Sequence, residues 1–525
     1  MDRSIGIAAV EDSASLWDVL VVGGGATGLG VAVDAASRGY RVLLVERGDF
    51  AEATSSRSTK LVHGGVRYLK QGNVSLVYEA LHERGLLKQN APHLVHDMPF
   101  VIPIYTWWES PFYGLGMKCY DAMAGRLGLG PSEWLGPAQT MKALPNVRSK
   151  GLRSGVRYHD GQFDDARLAI GLAATAVDHG AAVANYVELV DFVKEGDKIV
   201  GGRLRDIESG HECTVRAKVV VNATGVFCDA LRTLDEPKAA KHVAPSQGAH
   251  IVLPKRFLPG NEALMVPRTA DGRVLFAVPW HEHVVVGTTD TPVEGVAREP
   301  RPLAEELEFL MGHAAKYLNE APQPSDVLSI YAGLRPLVKA NAGKNTSKLS
   351  RDHSIWISDS GLVTITGGKW TTYRRMAEDT LNRAEEHFGW PQRECKTRSL
   401  PIHGAPVFMK GNSQWDRGDY AIYGKDALRI QSIAQLDPSM SELLIPGLSY
   451  TQAEIVWAVR HEMARGVADA LARRTRALLL DARGAMLAAP RVAALMAKEL
   501  GKDAQWQAEQ VKSFEALAKH YLMGP

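Results

Sequence analysis

Two groups of residues in this chain could do chemistry. The first is the glycine turn Gly23-Gly-Gly-Ala-Thr-Gly28, with Glu46 standing further on at the end of the apolar run Arg41–Val45. In such a turn Gly23 permits a tight bend, Gly25 lets backbone approach a pyrophosphate, and Gly28 lets a helix pack closely on a strand. The start of that helix offers free N–H groups and a positive dipole end to phosphates. Glu46 can accept hydrogen bonds from ribose hydroxyls. The second group comprises His63 and His250 with the cations Arg67, Arg335, Arg351 and Lys369. Histidine titrates near neutral pH and can take a proton from a hydroxyl. The chain has 17 histidines, so a lone one is more often structural, and both remain candidates. Guanidinium groups match a phosphate monoester through planar, paired contacts. Each charge-assisted bond is worth about 1.5–3 kcal/mol. Taken singly, such cations are more often surface charges.

These residues need elements to position them. Trp17–Val22 has the length of a buried parallel strand. Leu29, Val31, Ala32, Val33, Ala35 and Ala36 suit a helix on a sheet, and Gly39 sits where a helix-ending glycine belongs. Strand, turn, helix, strand and terminal acid in that order mark a dinucleotide site. The hydroxyl-rich loop Glu52–Lys60, before Leu61-Val-His-Gly-Gly-Val-Arg-Tyr68, suits an extended FAD. Asp164 or Asp165 can cap a helix over 166–179, which ends at Gly180 before a strand near Val183–Val187. Lys218–Asn222 is a buried strand opening onto Ala223-Thr-Gly225. Its return to the first sheet implies interleaved domains, with the intervening chain building an antiparallel sheet over the substrate. His250 lies in the alternating run Gly248–Leu253, and Pro336 biases Arg335 to an extended conformation. Gly287-Thr-Thr-Asp290 reads as a structural turn, and Thr371 and Thr372 as caps of a helix after Lys369. Beyond Leu400–Pro406 the chain turns to alanine-rich helices, with Ile455, Val459, Met463, Val467 and Leu471 on one face and Arg473-Arg474-Thr-Arg476 after them. This bundle either covers the cleft or makes dimer contacts. The predicted class is α/β: a Rossmann-like FAD-binding domain interleaved with an antiparallel-sheet substrate domain over 17–399, an all-α C-terminal domain over 400–525, and a flexible tail over 1–16.

Composition narrows the function. The chain has 525 residues, with Lys+Arg 61 against Asp+Glu 59 and a net charge of +2, so a dedicated nucleic-acid binder is disfavoured. Four cysteines lie far apart with no CxxC pair, which argues against a disulfide framework or zinc site and for a reducing cytoplasm. No metal site is expected. The longest apolar stretch, Val19–Val33, is broken by glycines and flanked by Asp18 and Asp34, so it does not read as a membrane span. The aromatic-rich segment 107–129 reads as a buried core helix in preference to a monotopic membrane patch.

The sequence resembles the FAD-dependent, aerobic glycerol-3-phosphate dehydrogenases of the D-amino-acid-oxidase-like flavoprotein group. The resemblance rests on Gly23–Gly28 with Glu46, Ser55-Ser-Arg-Ser-Thr-Lys-Leu-Val-His-Gly-Gly-Val-Arg-Tyr68, Asn222-Ala-Thr-Gly225, Gly287-Thr-Thr-Asp290, Tyr331-Ala-Gly-Leu-Arg-Pro336 and Gly367-Gly-Lys-Trp-Thr-Thr-Tyr373. It departs at Val226-Phe227, where Pro-Trp is expected, at Ala249 for Ser and at Trp370 for Leu. These differences bear on pocket shape. The resemblance implies FAD held by Gly23, Gly25, Gly28, Glu46, Arg47, Ser56, Ser58, Lys60, His63, Gly64, Val187, Ala223, Gly225, Gly368, Lys369 and Thr371. It implies glycerol 3-phosphate held by Arg67, Tyr68, Arg335, Arg351 and Lys369, with His63 or His250 as base and Arg335 steadying the developing alkoxide. It further implies a quinone as electron acceptor, a homodimer, and a cytoplasmic protein peripheral on the inner face of the cell membrane. An oxygen-using glycerol-3-phosphate oxidase or amine oxidase is the rival, and a flavin-bound scaffolding or RNA-binding protein is a rival of another class.

Overall fold

The computed structural model describes residues 1–65, 73–269, 272–339, 353–406 and 420–524. Leu16–Val22 forms the centre of a first sheet, paired in parallel with Val42–Glu46 on one side and Glu212–Asn222 on the other. Val19 and Val21 face helices Ala26–Ser37, Asp165–Asp178 and Tyr373–Phe388, while Leu20 and Val22 face the opposite layer with Val187, Leu189 and Leu204. Burial on both faces explains why Val19–Val22 is apolar throughout. Ala182–Asn185 extends the sheet beyond Val42–Glu46, and Leu362–Gly367 extends it beyond Glu212–Asn222. As expected, chain segments far apart in sequence build this sheet. Asp164 caps the helix Asp165–Asp178, accepting from the N–H groups of Ala166 and Arg167.

The second sheet takes its strands from the intervening segments, Leu61–Phe163 and Val243–Val338. Its long central strand, Val243–Pro254, pairs antiparallel with Ser329–Val338 and His283–Gly287. The sheet is not antiparallel throughout, since Ala263–Val266 runs parallel to Val95–Ile104.

Three expectations change. Residues 1–16 are not a loose tail: Arg3–Glu11 is a helix capped by Asp2, and Gly6 packs so closely that a Cβ would lie 2.1 Å from the Val183 carbonyl oxygen. The residues from Ile455 to Leu471 are not one helix. Gln452–His461 ends there, Met463 takes φ of 55°, and Asp469–Arg474 is a separate π-helical turn. The repeated apolar residues serve two elements that share one core. That core also contains Val252, Trp280, Val285 and Tyr331, so the helical module packs on the face of the second sheet that also carries His250. Finally, the aromatic segment forms the helix Glu109–Ala124, but it buries only Gly114, Met117 and Tyr120. Trp107 is 76% exposed and Leu115 67%, so it is not a core helix.

Candidate active site

A groove of about 310 Å³ runs along the ends of the first sheet's strands. Gly23, Gly25, Glu46, Arg47, Val187, Ala223, Gly225, Gly368 and Lys369 all line it, which brings together residues spread over most of the chain. The glycines are needed by geometry. Gly23 has φ of +115°, and a Cβ there would lie 2.7 Å from the Ala223 carbonyl oxygen. A Cβ on Gly28 would lie 1.9 Å from the Gly23 carbonyl oxygen, so helix and strand touch through it. The helix Ala26–Ser37 receives no side-chain cap from Gly25, and the Ala26 N–H donates to Ser55 Oγ at 2.9 Å. A helix start without a charged cap, facing a groove, suits an anionic pyrophosphate. Glu46 accepts from the Gly24 N–H at 2.6 Å and the Gly48 N–H at 2.8 Å, which fixes the carboxylate at the groove edge. Burial raises its pKa above the ordinary glutamate value against the pull of these two bonds. This donor set and close-packed cradle fit FAD.

The groove opens into a second cavity of about 290 Å³, and Thr54, Pro336, Gly367, Gly368, Lys369 and Trp370 line both. The cavity brings His63, His250, Arg335, Lys369 and Thr371 together. Arg335 is set from behind: it donates to the Gln247 carbonyl at 3.2 Å, Asp290 Oδ1 at 3.3 Å, Thr288 Oγ1 at 3.1 Å and the Thr289 carbonyl at 2.9 Å. Asp290 is itself held by the Ser246 hydroxyl. Gly287-Thr-Thr-Asp290 is therefore part of the site and not merely a turn. Gly287 also makes room for a ring, since a Cβ there would meet His250 Cδ2 at 2.1 Å.

The two histidines differ. His250 is only 2% exposed, stacks on Tyr331 at 4.6 Å between ring centres, and its Nε2 lies 2.9 Å from Thr59 Oγ1. Burial, then the charges of Lys60 and Arg335, hold its pKa well below the usual imidazole value. His63 is half-buried, and its backbone is pinned on both sides. Its own N–H donates to Thr371 Oγ1 at 3.2 Å, and the adjacent Gly64 N–H donates to the Tyr120 hydroxyl at 2.8 Å.

Not every expected residue reaches the site. Arg67, Tyr68 and Arg351 lie outside the described residues. Ser58 lines the cavity rather than the groove and donates to Asp165 at 2.7 Å. Ser56, Lys60 and Gly64 stand behind the wall. Lys60 is fully buried, with Nζ 2.7 Å from Asp165 Oδ2 and 2.8 Å from the Ser56 carbonyl oxygen. An ammonium beside a buried carboxylate pairs with it, so it turns inward. Thr372 precedes the helix Tyr373–Phe388 but makes no capping bond; its hydroxyl donates to the Lys369 carbonyl. Sequence reasoning passed over Ser55 and Trp370 as site residues. Trp370 Nε1 donates to the Ser55 carbonyl at 2.8 Å, which ties the two loops that flank the groove. Trp370 was visible only as a departure from the family's leucine.

A cradle of this kind beside a cavity of histidines and cations defines an FAD-dependent oxidoreductase, and the model of the FAD dependent oxidoreductase family matches residues 18–374. The model of the C-terminal domain of alpha-glycerophosphate oxidase matches residues 395–507. Mitochondrial glycerol-3-phosphate dehydrogenase of Homo sapiens is 39% identical over 97% of this chain and 74% of its own, and that of Arabidopsis thaliana 40% identical over 96% and 86%. The chain belongs to the FAD-dependent glycerol-3-phosphate dehydrogenase family. The glycerol-3-phosphate dehydrogenase of Bacillus halodurans, solved in complex with FAD, superposes with a TM-score of 0.80 at 29% identity over 99% of this chain and 97% of that one. L-alpha-glycerophosphate oxidase of Mycoplasma pneumoniae shares the fold, with a TM-score of 0.57 at 18% identity over 74% of this chain and 98% of that one.

Proposed function

We propose that the protein oxidises sn-glycerol 3-phosphate to dihydroxyacetone phosphate and passes the electrons to a quinone. The observation that carries this reading is the opening of the flavin groove onto a cavity where Arg335 and Lys369 stand beside His63 and His250. Gly23, Gly25, Glu46 and Gly368 would hold FAD, which would supply the hydride acceptor. Arg335 and Lys369 bind the phosphate and so orient the C2–H bond, a role the family resemblance extends to Arg67, Tyr68 and Arg351. As that hydrogen leaves with its electron pair, the C2 hydroxyl proton goes to the imidazole of His63, which lines the cavity and is less buried than His250. Arg335, fixed by four acceptors, steadies the oxygen while it carries charge. His250 stays neutral and shapes the wall.

The family description of the C-terminal domain names an oxidase, which favours oxygen as the rival acceptor. One experiment separates these readings. Glycerol 3-phosphate added without oxygen bleaches the yellow protein; a soluble quinone then restores the colour rapidly, whereas air restores it slowly, forming peroxide only at that slow rate. Colour that persists after substrate refutes the reaction, and peroxide formed at the turnover rate makes it an oxidase.

No described helix is long and apolar enough to cross a membrane. The exposed aromatic face at 107–115 supports peripheral seating on the inner face of the cell membrane, where a quinone dissolves. A homodimer belongs to the same reading, and Leu428, Leu436 and Leu487, exposed on the helical module, offer apolar surface for it.

A further inference from the structure

The residues Arg473, Arg474 and Arg476 look like an ordinary charge run, yet all three are buried. They leave the helical module and enter the FAD domain. Arg473 Nε lies 2.5 Å from Asp49 Oδ2, and Arg474 meets both Asp49 oxygens at 2.7 and 2.8 Å. Burial alone would raise Asp49, but these two guanidiniums outweigh it and hold its pKa at about 2. Arg476 has φ of 65°, which turns its side chain out of the preceding helical turn. Its Nη2 donates to the Ser56 carbonyl and to Asp165 Oδ1, each at 2.8 Å. Lys60 reaches the same carbonyl and the same carboxylate from the other side.

The two knots bracket one stretch of chain. Ala51, Glu52, Ala53, Thr54 and Ser55 face the flavin groove. Ser58 and Thr59 face the substrate cavity, where Thr59 holds His250. The wall between the two sites is thus a polar loop whose inner side is fastened to the helical module through fully buried charges. An apolar contact would hold the loop near this place; paired forks also fix its rotation.

We propose that segment 473–476 belongs functionally to the flavin site, with Arg476 as a positioning residue that keeps the 49–59 wall set for FAD before FAD binds. The helical module then has a task beyond covering the sheet: it pre-organises the cofactor groove, which raises affinity by removing an ordering cost. This rests on the groove being the FAD site.

The test compares FAD dissociation constants, by fluorescence, for full-length chains stripped of FAD and refilled. Arg476→Met is expected to raise the constant by about tenfold or more and to alter the visible circular dichroism of bound flavin. Asp165→Asn, nearly isosteric, gives the same pattern and keeps the test decisive if Arg476→Met fails to fold. Phe514→Ala, which opens the core of the helical module without removing any of these charged contacts, lowers the melting temperature but leaves the constant within about twofold. The inference is overturned if both folded loop variants stay within about twofold of the parent, or if Phe514→Ala weakens FAD as much as they do. A parent chain that takes up no FAD at all overturns the groove assignment and the inference together.

Discussion

At the scale of residues, the site separates two histidines that the sequence leaves equivalent. A general base must sit where a proton arrives and must be able to accept it. His250 is hemmed in by Thr59, Tyr331 and Gly287. With its pKa held well below the usual value, it remains neutral at pH values where an exposed histidine would be half protonated. It therefore contributes no acidic limb near neutral pH to kcat/KM. His63 faces the cavity with its backbone fixed by Thr371 and, through Gly64, by Tyr120. His63→Asn is expected to slow anaerobic flavin reduction by about 100-fold or more in stopped flow, the usual worth of a positioned base. His250→Asn is expected to slow it less than about tenfold and to leave the pH profile in place. Should His250→Asn produce the larger loss, the two roles are reversed. The same scale explains the misplaced lysine: Lys60, Ser58 and Ser56 share a hydroxyl-rich loop, and nothing in the local sequence shows that Asp165 lies behind it.

At the scale of elements, helix Gln452–His461 starts with an unusual cap. Glu454 accepts from the Thr451 N–H at 2.7 Å and the Tyr423 hydroxyl at 3.0 Å, all within the core. Burial raises its pKa from 4.5 to about 7, against these hydrogen bonds. A folded-state pKa above the unfolded value means that the folded chain holds the proton more tightly. That stabilisation is full below about pH 4.5 and is lost as pH rises through about 7. Glu454→Gln removes the titration while keeping the shape. The parent's melting temperature should therefore fall relative to the variant's between pH 5 and 8, by the equivalent of roughly 3 kcal/mol. Equal pH dependence in calorimetry would show that the carboxylate does not titrate there. Elements with strong local signals were legible in sequence: the strand Leu16–Val22, the glycine turn, the helix Asp165–Asp178 and its Asp164 cap. What sequence concealed depends on contacts between distant segments. A four-residue apolar period from Ile455 to Leu471 fits one helix, and only packing against Trp280 and Tyr331 shows two elements sharing a core. The run Arg473–Arg476 carries no mark of Asp49 and Asp165, more than 300 residues earlier.

At the scale of the whole molecule, one surface stands apart. Trp107, Trp108, Phe112, Leu115 and Trp134 are exposed around the helix Glu109–Ala124, while the opposite side of that helix packs Met117 and Tyr120 into the core. Scattered apolar residues are normal on a surface, but a contiguous aromatic and aliphatic cluster marks an interaction site. Tryptophan favours the boundary between water and lipid, where its ring is apolar and its N–H finds a partner. A short amphipathic helix can seat in that layer without crossing it. A net charge of +2 gives little long-range attraction to anionic lipid, so apolar burial must supply the affinity. Two consequences follow from that balance. Binding to phospholipid vesicles should blue-shift tryptophan fluorescence and should persist when salt is raised. Replacing Trp108 and Leu115 together by Glu should release the protein from vesicles, yet leave the rate of flavin reduction by substrate within about twofold, because exposed positions carry little folding energy. Release by salt alone would make the attachment electrostatic. Unchanged vesicle binding by the double variant would move the membrane face elsewhere, and the exposed tryptophans would then await a protein partner instead.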